Sequence, residues 1–405
     1  MKEIKKIEKL RNNLHSSKKL HGKMKIGQIT LLGRNFNHNF GATLQAYALH
    51  RVLASEGYQV ELIDYVPTSP TFSHHLRRFY RLINIEDPIY VLRRFPTWLL
   101  KKLGKRKSKP TPEFHERIKK FEEFKRRYIK FTSNTFHEIN ELKILNSKYD
   151  AYVVGSDVVW SPRYNDENRL KTYLLTFVDN GLKISYAASV GDRNIPKWAC
   201  KIFRKYLKDF DAVSVRERAS AEVIKKCTQI EPKVVLDPTA LLDKDEWVKI
   251  AKPPEKYPEK PYILVYDLKR SAEILSQIKR IAEKMGLEIV TYSHSENNIS
   301  FYSYGPQEFI WLYKNADFVV TSSFHGTVFA VLFNKPFYAI DPEPYAPSAR
   351  ITDFLNHLNL EERFVKDPTN LAVLSFEIEW ERSNKKLKSK RNQSLKFLRE
   401  SLRGV

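Results

Sequence analysis

The strongest constraint on the fold is a strand, a helix and a second strand in close succession within residues 24–65. Met24–Thr30 is a short apolar run, and the loop 33–39 leads into a helical pattern from Gly41 to Ser55. Leu44, Tyr47, Ala48, Arg51 and Val52 recur three or four apart, so one face is expected to pack on a sheet. Gly57 ends the helix and Val60–Tyr65 is the next strand. A helix between two strands is a crossover, and a crossover makes the strands parallel.

The alternation returns further along. Tyr149–Val154 is a buried strand ending in Gly155-Ser156-Asp157, and Lys183–Ala187 and Ala212–Val215 follow it. Val234-Val235-Leu236-Asp237-Pro238 reads as a strand ending at a join, with Asp237-Pro238 structural, and the proline-rich stretch 252–260 reads as a surface linker. A second series then runs through Tyr262–Tyr266, Ala272–Met285, Leu287–Tyr292, Pro306–Lys314, Asp317–Thr321, Thr327–Leu332 and Phe337–Ile340. The predicted fold class is α/β, with two facing Rossmann-like lobes. Lobe one spans 24–235 with a basic helical insertion at 67–132, a connection spans 236–260, and lobe two spans 261–370. A basic N-terminal extension (1–23) and a basic C-terminal helical tail (371–405) flank them. In open parallel sheets of this kind, ligands bind at the carboxyl ends of the strands.

The net charge of +23 is peripheral. Residues 1–23 carry +6, residues 68–130 carry +12 and residues 381–405 carry +7, which leaves the rest near neutral. A solvated basic surface, an anionic membrane surface and a nucleic-acid site are the competing readings. No nucleic-acid recognition motif accompanies the charge, so no specific nucleic acid is expected. Between Phe79 and Lys109, Trp98 and other apolar side chains interleave with Arg93, Arg94, Lys101 and Lys102, residue types that favour a lipid headgroup layer. Residues 77–109 are therefore the candidate membrane-facing segment.

There is no apolar run of transmembrane length and no secretory signal, so the expected location is cytoplasmic, with a peripheral position at the inner face of the membrane as the variant. Cys200 and Cys227 form no disulfide framework and no zinc spacing, and read as packing or surface residues in a reducing compartment. No cluster has metal-ligand spacing, so neither a metal nor a cofactor is expected.

Both lobes contain a strand followed by a loop that opens a helix. In lobe two this is Thr321-Ser322-Ser323-Phe324-His325-Gly326-Thr327, and in lobe one Asn37-His38-Asn39-Phe40-Gly41-Ala42. Such helix starts direct free backbone N–H groups and a positive dipole end at the cleft, a setting for phosphate or carboxylate. His325 there is either an acid/base group or a helix cap.

Six blocks occur in order between about residues 26 and 340: Asn39-Phe40-Gly41-Ala42 with Leu44-Gln45, Gly155-Ser156-Asp157 with Val159-Trp160, Lys183–Ser189, Val215-Arg216-Glu217, Leu236–Thr239, and Ser323–Thr327. As an ordered set they resemble the polysaccharide pyruvyl transferase family. The resemblance implies a fold like that of the two-domain GT-B glycosyltransferases. It also implies transfer of pyruvyl from phosphoenolpyruvate to two hydroxyls of a sugar, forming a cyclic ketal in exopolysaccharide or envelope glycan biosynthesis. Such a reaction needs a general acid/base and a cationic clamp for phosphate and carboxylate.

The family's histidine carries over to His325 and its candidate anion clamp to Arg216, whose other reading is a salt bridge to Glu217 or Glu222. Ser323, Gly326 and Thr327 belong to the same donor-binding block. Family members tend to have an arginine two places before the histidine. Here that place is Ser323, which cannot make a bidentate ionic contact, and Arg350 is the expected substitute. Asp157 would orient or deprotonate a sugar hydroxyl, or form an Asx turn. Asn39, Gly41, Gln45 and Trp160 are the acceptor-side candidates, with Trp160 a sugar platform or core and Gln45 facing sugar or solvent. The acceptor saccharide would be lipid-linked or nucleotide-linked. A glycosyltransferase using a nucleotide sugar is the alternative, and a non-catalytic anion- or nucleic-acid-binding protein a further one.

Overall fold

Short apolar runs broken by helices give two parallel sheets. The computed structural model describes residues 23–68, 111–162, 166–268, 271–292, 298–342, 348–367 and 375–403. Lobe one contains β1 (Lys25–Ile29), β2 (Gln59–Tyr65), β3 (Phe131–Phe136), β4 (Ala151–Val154), β5 (Leu182–Ala188), β6 (Ala212–Val215) and β7 (Lys233–Val234), in the spatial order β3-β2-β1-β4-β5-β6-β7. Lobe two contains β8 (Tyr262–Tyr266), β9 (Glu288–Thr291), β10 (Ile299–Ser300), β11 (Phe318–Thr321), β12 (Phe337–Ile340) and β13 (Phe364–Val365), in the order β10-β9-β8-β11-β12-β13. Every pairing is parallel, with Ile26 opposite Ala151 in the first sheet and Val319 opposite Leu264 in the second. The two-lobed α/β architecture expected from the alternation is present.

In each sheet the strand order reverses once, between β1 and β4 and between β8 and β11. At such a point the two adjoining crossovers leave in opposite directions and open a crevice beyond the strand ends. Among the described residues the α-helices are α1 (Phe40–Ser55), α2 (Pro112–Tyr128), α3 (Glu167–Tyr173), α4 (Lys197–Tyr206), α5 (Arg218–Thr228), α6 (Lys244–Val248), α7 (Ala272–Met285), α8 (Pro306–Asn315), α9 (Phe324–Leu332), α10 (Ala349–Leu358) and α11 (Trp380–Arg403).

The periodicity of α1 predicts one buried face, yet nearly the whole helix is buried. Its second face lies against lobe two, in contact with α8 and α9, which no local pattern could show. All of α9 is buried likewise. The seam between the lobes is apolar. Phe40 stacks on Phe309 of α8 with ring centroids 4.2 Å apart, and the Arg117 guanidinium of α2 lies 4.4 Å from the Phe40 ring centre.

Helix α2 ends the insertion and fastens the β1–α1 loop. Lys125 Nζ donates to the carbonyls of Gly33 (3.0 Å) and Phe36 (2.9 Å), and Arg117 Nη2 donates to that of His38 (2.8 Å). The buried stripe of α2 thus includes two cations whose charges meet backbone carbonyls. Helix α11 returns from lobe two to lobe one. Ser394 Oγ accepts from Leu236 N at 3.0 Å, Arg391 Nε donates to Ala240 O at 2.8 Å, and Arg399 forms a bidentate pair with Glu56.

Three sequence expectations need correction or fall outside the structure. Strand β3 has no counterpart among the expected strands, because its middle residues Ser133, Asn134 and Thr135 are polar and exposed at the sheet edge, and its first two residues lie inside the expected insertion at 67–132. The cysteines, expected as unpaired, form a disulfide between α4 and α5. These helices flank β6 and pack against each other, so a separation of 27 residues closes to a Cα–Cα distance of 5.1 Å. The pairing removes the composition-based argument for a reducing compartment. Residues 77–109, the candidate membrane-facing segment, lie outside the described residues.

Two outcomes are expected. Phe40→Ala removes the centre of the seam and should cost about 3–5 kcal/mol in urea unfolding. A cost below about 1 kcal/mol would mean that the seam collapses around the gap. The second concerns His50 of α1, whose pKa is lowered to about 4 by burial and by Lys130. Between about pH 6.5 and 4 the unfolded chain binds a proton there that the folded chain refuses, so stability is lost as pH falls through that window. His50→Gln should flatten the urea-midpoint profile between about pH 6.5 and 5.5, above the carboxylate range, and an unchanged slope would remove His50 from the account.

Candidate functional site

The two switch points face each other across a cleft of about 240 Å³. Lobe one contributes Leu31 beyond β1, Asn37, Asn39 and Ala42 at the start of α1, and Asp157 beyond β4. Lobe two contributes Tyr266 at the end of β8, Ser322, Ser323 and His325 beyond β11, and Arg350 at the start of α10. Each wall ends in a capped helix. Asn39 Oδ1 accepts from Ala42 N at 3.2 Å, and Ser323 Oγ accepts from Gly326 N at 3.3 Å. Two helix N-termini therefore converge on one cavity, both favouring negative charge.

His325 is 7% exposed and sits on the first turn of α9. Its Nε2 is buried, has no hydrogen-bond partner among the described residues, and lies 3.5 Å from Asp237 Oδ2. Its Nδ1 edge abuts Gly41 of the opposite lobe, where a Cβ would fall inside the ring's van der Waals envelope. Glycine at 41 is thus required by a close approach, not by its backbone angle.

Asp237 opens the short turn Pro238–Ala240, which packs against both α1 and α9. Its Oδ2 accepts from Ser156 Oγ (2.8 Å) and Arg216 Nη1 (3.0 Å), and its Oδ1 from Thr239 N (3.0 Å) and Thr239 Oγ1 (2.7 Å). Burial alone would raise its pKa, but His325, Arg216 and Thr239 together hold it far below the usual carboxylate range. Asp237 is therefore a fixed anion at the floor of the site.

Arg216 is buried at the end of β6, with its side chain 1% exposed. Besides Asp237 it faces Glu217 (3.4 Å) and Asp157 (3.9 Å), and its guanidinium lies 4.6 Å from the Phe324 ring centre of lobe two. Burial alone would lower its pKa, and the three carboxylates outweigh it and raise it. Nη2 has no hydrogen-bond partner among the described residues. Glu217, the neighbouring acid, is anchored by Ser189 Oγ (2.7 Å) and Ser220 Oγ. Arg216, expected as a direct anion clamp, stands behind the cleft wall and balances acids there.

Asp157 reaches the cleft with φ at +78°, and Ala187 beside the end of the neighbouring strand has φ at +52°. Such backbone costs on the order of 1–3 kcal/mol per residue and recurs at functional sites. Asp157 Oδ1 accepts from the N–H of the next residue, Val158, at 2.9 Å, a contact that is neither the two-residue bond of an Asx turn nor a helix cap, and the residue lines the cleft.

Other expected residues lie elsewhere. Trp160 is fully buried and donates Nε1 to Tyr173 O at 2.9 Å, so it is core and offers no face to a sugar. Gln45 is fully buried and donates to Thr30 Oγ1 and Ala42 O, facing neither sugar nor solvent. Thr327 is fully buried with its hydroxyl on Ser323 O. Gly326 makes room for Thr321 and Tyr313. The expected acceptor and donor sets thus shrink to Asn39, Ser323 and Arg350 at the cleft, with Gly41 against His325. Sequence reading missed Tyr266 and Asp237, although the Leu-Asp-Pro-Thr block was visible and only its role was not. Among the described residues no cluster of ligating side chains could hold a metal.

Gly41→Ala should displace the His325 ring while leaving the fold intact. The expected readout is a loss of activity of 100-fold or more, the order contributed by a positioned acid/base group, with a near-native circular dichroism spectrum. Full activity in that variant would show that the imidazole position is unimportant.

A family model described as polysaccharide pyruvyl transferase matches residues 39–344. No curated protein matches the chain. Among solved structures, the UDP-GlcNAc 2-epimerase from Neisseria meningitidis bound to UDP-GlcNAc is similar at 12% identity and a TM-score of 0.47, covering 94% of this chain and 99% of that one. A putative UDP-N-acetylglucosamine 2-epimerase from Listeria monocytogenes is similar at 11% identity and a TM-score of 0.47, covering 93% and 91%. With the family model spanning both walls of the cleft, from Asn39 to beyond His325, the chain belongs to the polysaccharide pyruvyl transferase family.

Proposed function

We propose that the cleft binds phosphoenolpyruvate and a saccharide, and transfers the pyruvyl group to two sugar hydroxyls as a cyclic ketal in exopolysaccharide or envelope glycan assembly. The observation that carries this reading is the meeting of His325, Asp157 and Arg350 with two helix N-termini in one small cavity. Family membership supports a transferase of this general type.

In this reading the N–H groups of α9 and the Arg350 guanidinium hold the donor's phosphate and carboxylate. A proton is added to the enol methylene, the neighbouring carbon becomes cation-like, and a sugar hydroxyl attacks it. The C–O bond to phosphate breaks, phosphate leaves, and a second hydroxyl closes the ring. His325 serves as the acid/base, and Asp157 orients a hydroxyl or takes its proton. Arg216 balances Asp157, Glu217 and Asp237, which would otherwise repel an anionic donor. Lipid linkage of the acceptor and a peripheral membrane position rest on residues 77–109. No described helix is long and apolar enough to cross a membrane.

Titration calorimetry with phosphoenolpyruvate tests the donor. Saturable binding to the wild type is expected, weakened at least ten-fold by Arg350→Ala, about 1.4 kcal/mol. His325→Ala should retain donor binding and lose turnover. Absence of phosphoenolpyruvate binding together with saturable binding of a nucleotide sugar would replace this reading with a glycosyltransferase.

A further inference from the structure

Asp237 is a buried anion to which the chemistry above gives no role, and it touches groups from both lobes. Ser156 and Arg216, its hydrogen-bond partners, stand at the ends of β4 and β6 in lobe one. His325, 3.5 Å from the same oxygen, belongs to lobe two. Resting on the proposed acid/base role of His325, we infer that Asp237 is its positioning residue, holding Nε2–H and leaving Nδ1 as the nitrogen that exchanges protons with substrate.

Three observations converge on this assignment. First, Oδ2 already accepts two hydrogen bonds and Oδ1 two more, so the carboxylate cannot turn away from the imidazole without breaking them. Second, Nε2 is buried without a hydrogen-bond partner among the described residues, and Asp237 Oδ2 is the ionised oxygen placed 3.5 Å away. A donor facing a carboxylate keeps its proton, so the neutral ring carries hydrogen on Nε2 and a lone pair on Nδ1. Catalytic contacts of this length commonly tighten in the complex with substrate. Third, the Nδ1 edge faces the one residue at the start of α1 that has no side chain, and Asn39 and Ala42 on either side of Gly41 line the cleft. Any side chain at 41 would cover the nitrogen that the tautomer leaves free.

The proton step balances with these groups alone. The sugar O–H bond breaks as an Nδ1–H bond forms, the ring becomes an imidazolium, and the Asp237 carboxylate offsets its charge while staying ionised. The Nδ1–H bond then breaks as its proton passes to the departing phosphate oxygen, which restores the neutral ring, and the proton of the second hydroxyl recharges Nδ1 for the enol methylene of the next donor. Asp237 is held by groups of lobe one and His325 belongs to lobe two, so the contact spans the seam between the lobes.

Heteronuclear NMR of histidine-labelled protein at about pH 8, where an ordinary imidazole is neutral, reads the tautomer without any substrate. The His325 signals are identified by their loss in His325→Gln. The expected wild-type result is an Nε2–H ring, and Asp237→Asn, which can turn its amide N–H towards Nε2, should shift the ring to the Nδ1–H form. Activity of that variant should fall by roughly 100-fold or more, with KM for phosphoenolpyruvate little changed. A wild-type His325 in the Nδ1–H form, or an Asp237→Asn ring identical to the wild type, would overturn the assignment. The wild-type spectrum decides even if the variant fails to fold. An Nε2–H ring in a protein that does not bind phosphoenolpyruvate would leave this assignment standing and remove the donor, so the two failures are distinguishable.

Discussion

The seam around Phe40 is the interaction on which the rest of the molecule depends. A cleft between two sheets exists only if their carboxyl ends are held face to face. Here an apolar layer holds them, with Phe40 of lobe one stacked on Phe309 of lobe two and the Arg117 guanidinium beside the same ring. Phe40 is also the first residue of α1, immediately after its cap. The contact that joins the lobes therefore also fixes where the α1 N-terminus points, and Gly41, next in the chain, lies against His325.

Behind the cleft wall the structure manages a difficult concentration of charge. Three carboxylates surround one buried guanidinium, and the imidazole of His325 closes the group. Removing water from so many charges is costly unless each is paired and hydrogen-bonded. Serine hydroxyls meet that demand here, from Ser156 on Asp237 and from Ser189 and Ser220 on Glu217. The outcome is a rigid anionic floor beneath a cavity whose rim, with two helix N-termini and Arg350, is suited to anions.

The fold was largely legible in the sequence because parallel α/β sheets write themselves locally. Each buried strand is a short apolar run and each crossover helix has its own period. The strands missed are β3 at a sheet edge, whose middle residues are polar and exposed, and β10 and β13, which at two residues each are too short to carry a period. The positions of His325, Asp157, Ser323 and Arg350 could be anticipated because helix starts and strand ends are local features. Trp160 and Gln45 could not be sorted the same way. An aromatic or amide beside a motif looks alike whether it faces a cleft or the core, and only packing settles which.

The sequence by itself determined most of the buried strands, the crossover helices beside the cleft, their parallel pairing and the family, since these follow from local periodicity and from ordered motifs. Tertiary structure alone decided that α1 is buried on both sides, that Cys200 meets Cys227, and that Arg216 is enclosed by acids. It also decided that Asp237 stands between the two lobes' functional groups. The physical reason is common to all four. Each depends on contacts between segments far apart in the chain, whose geometry is set by how whole sheets and helices pack, and no single stretch of residues encodes that distance.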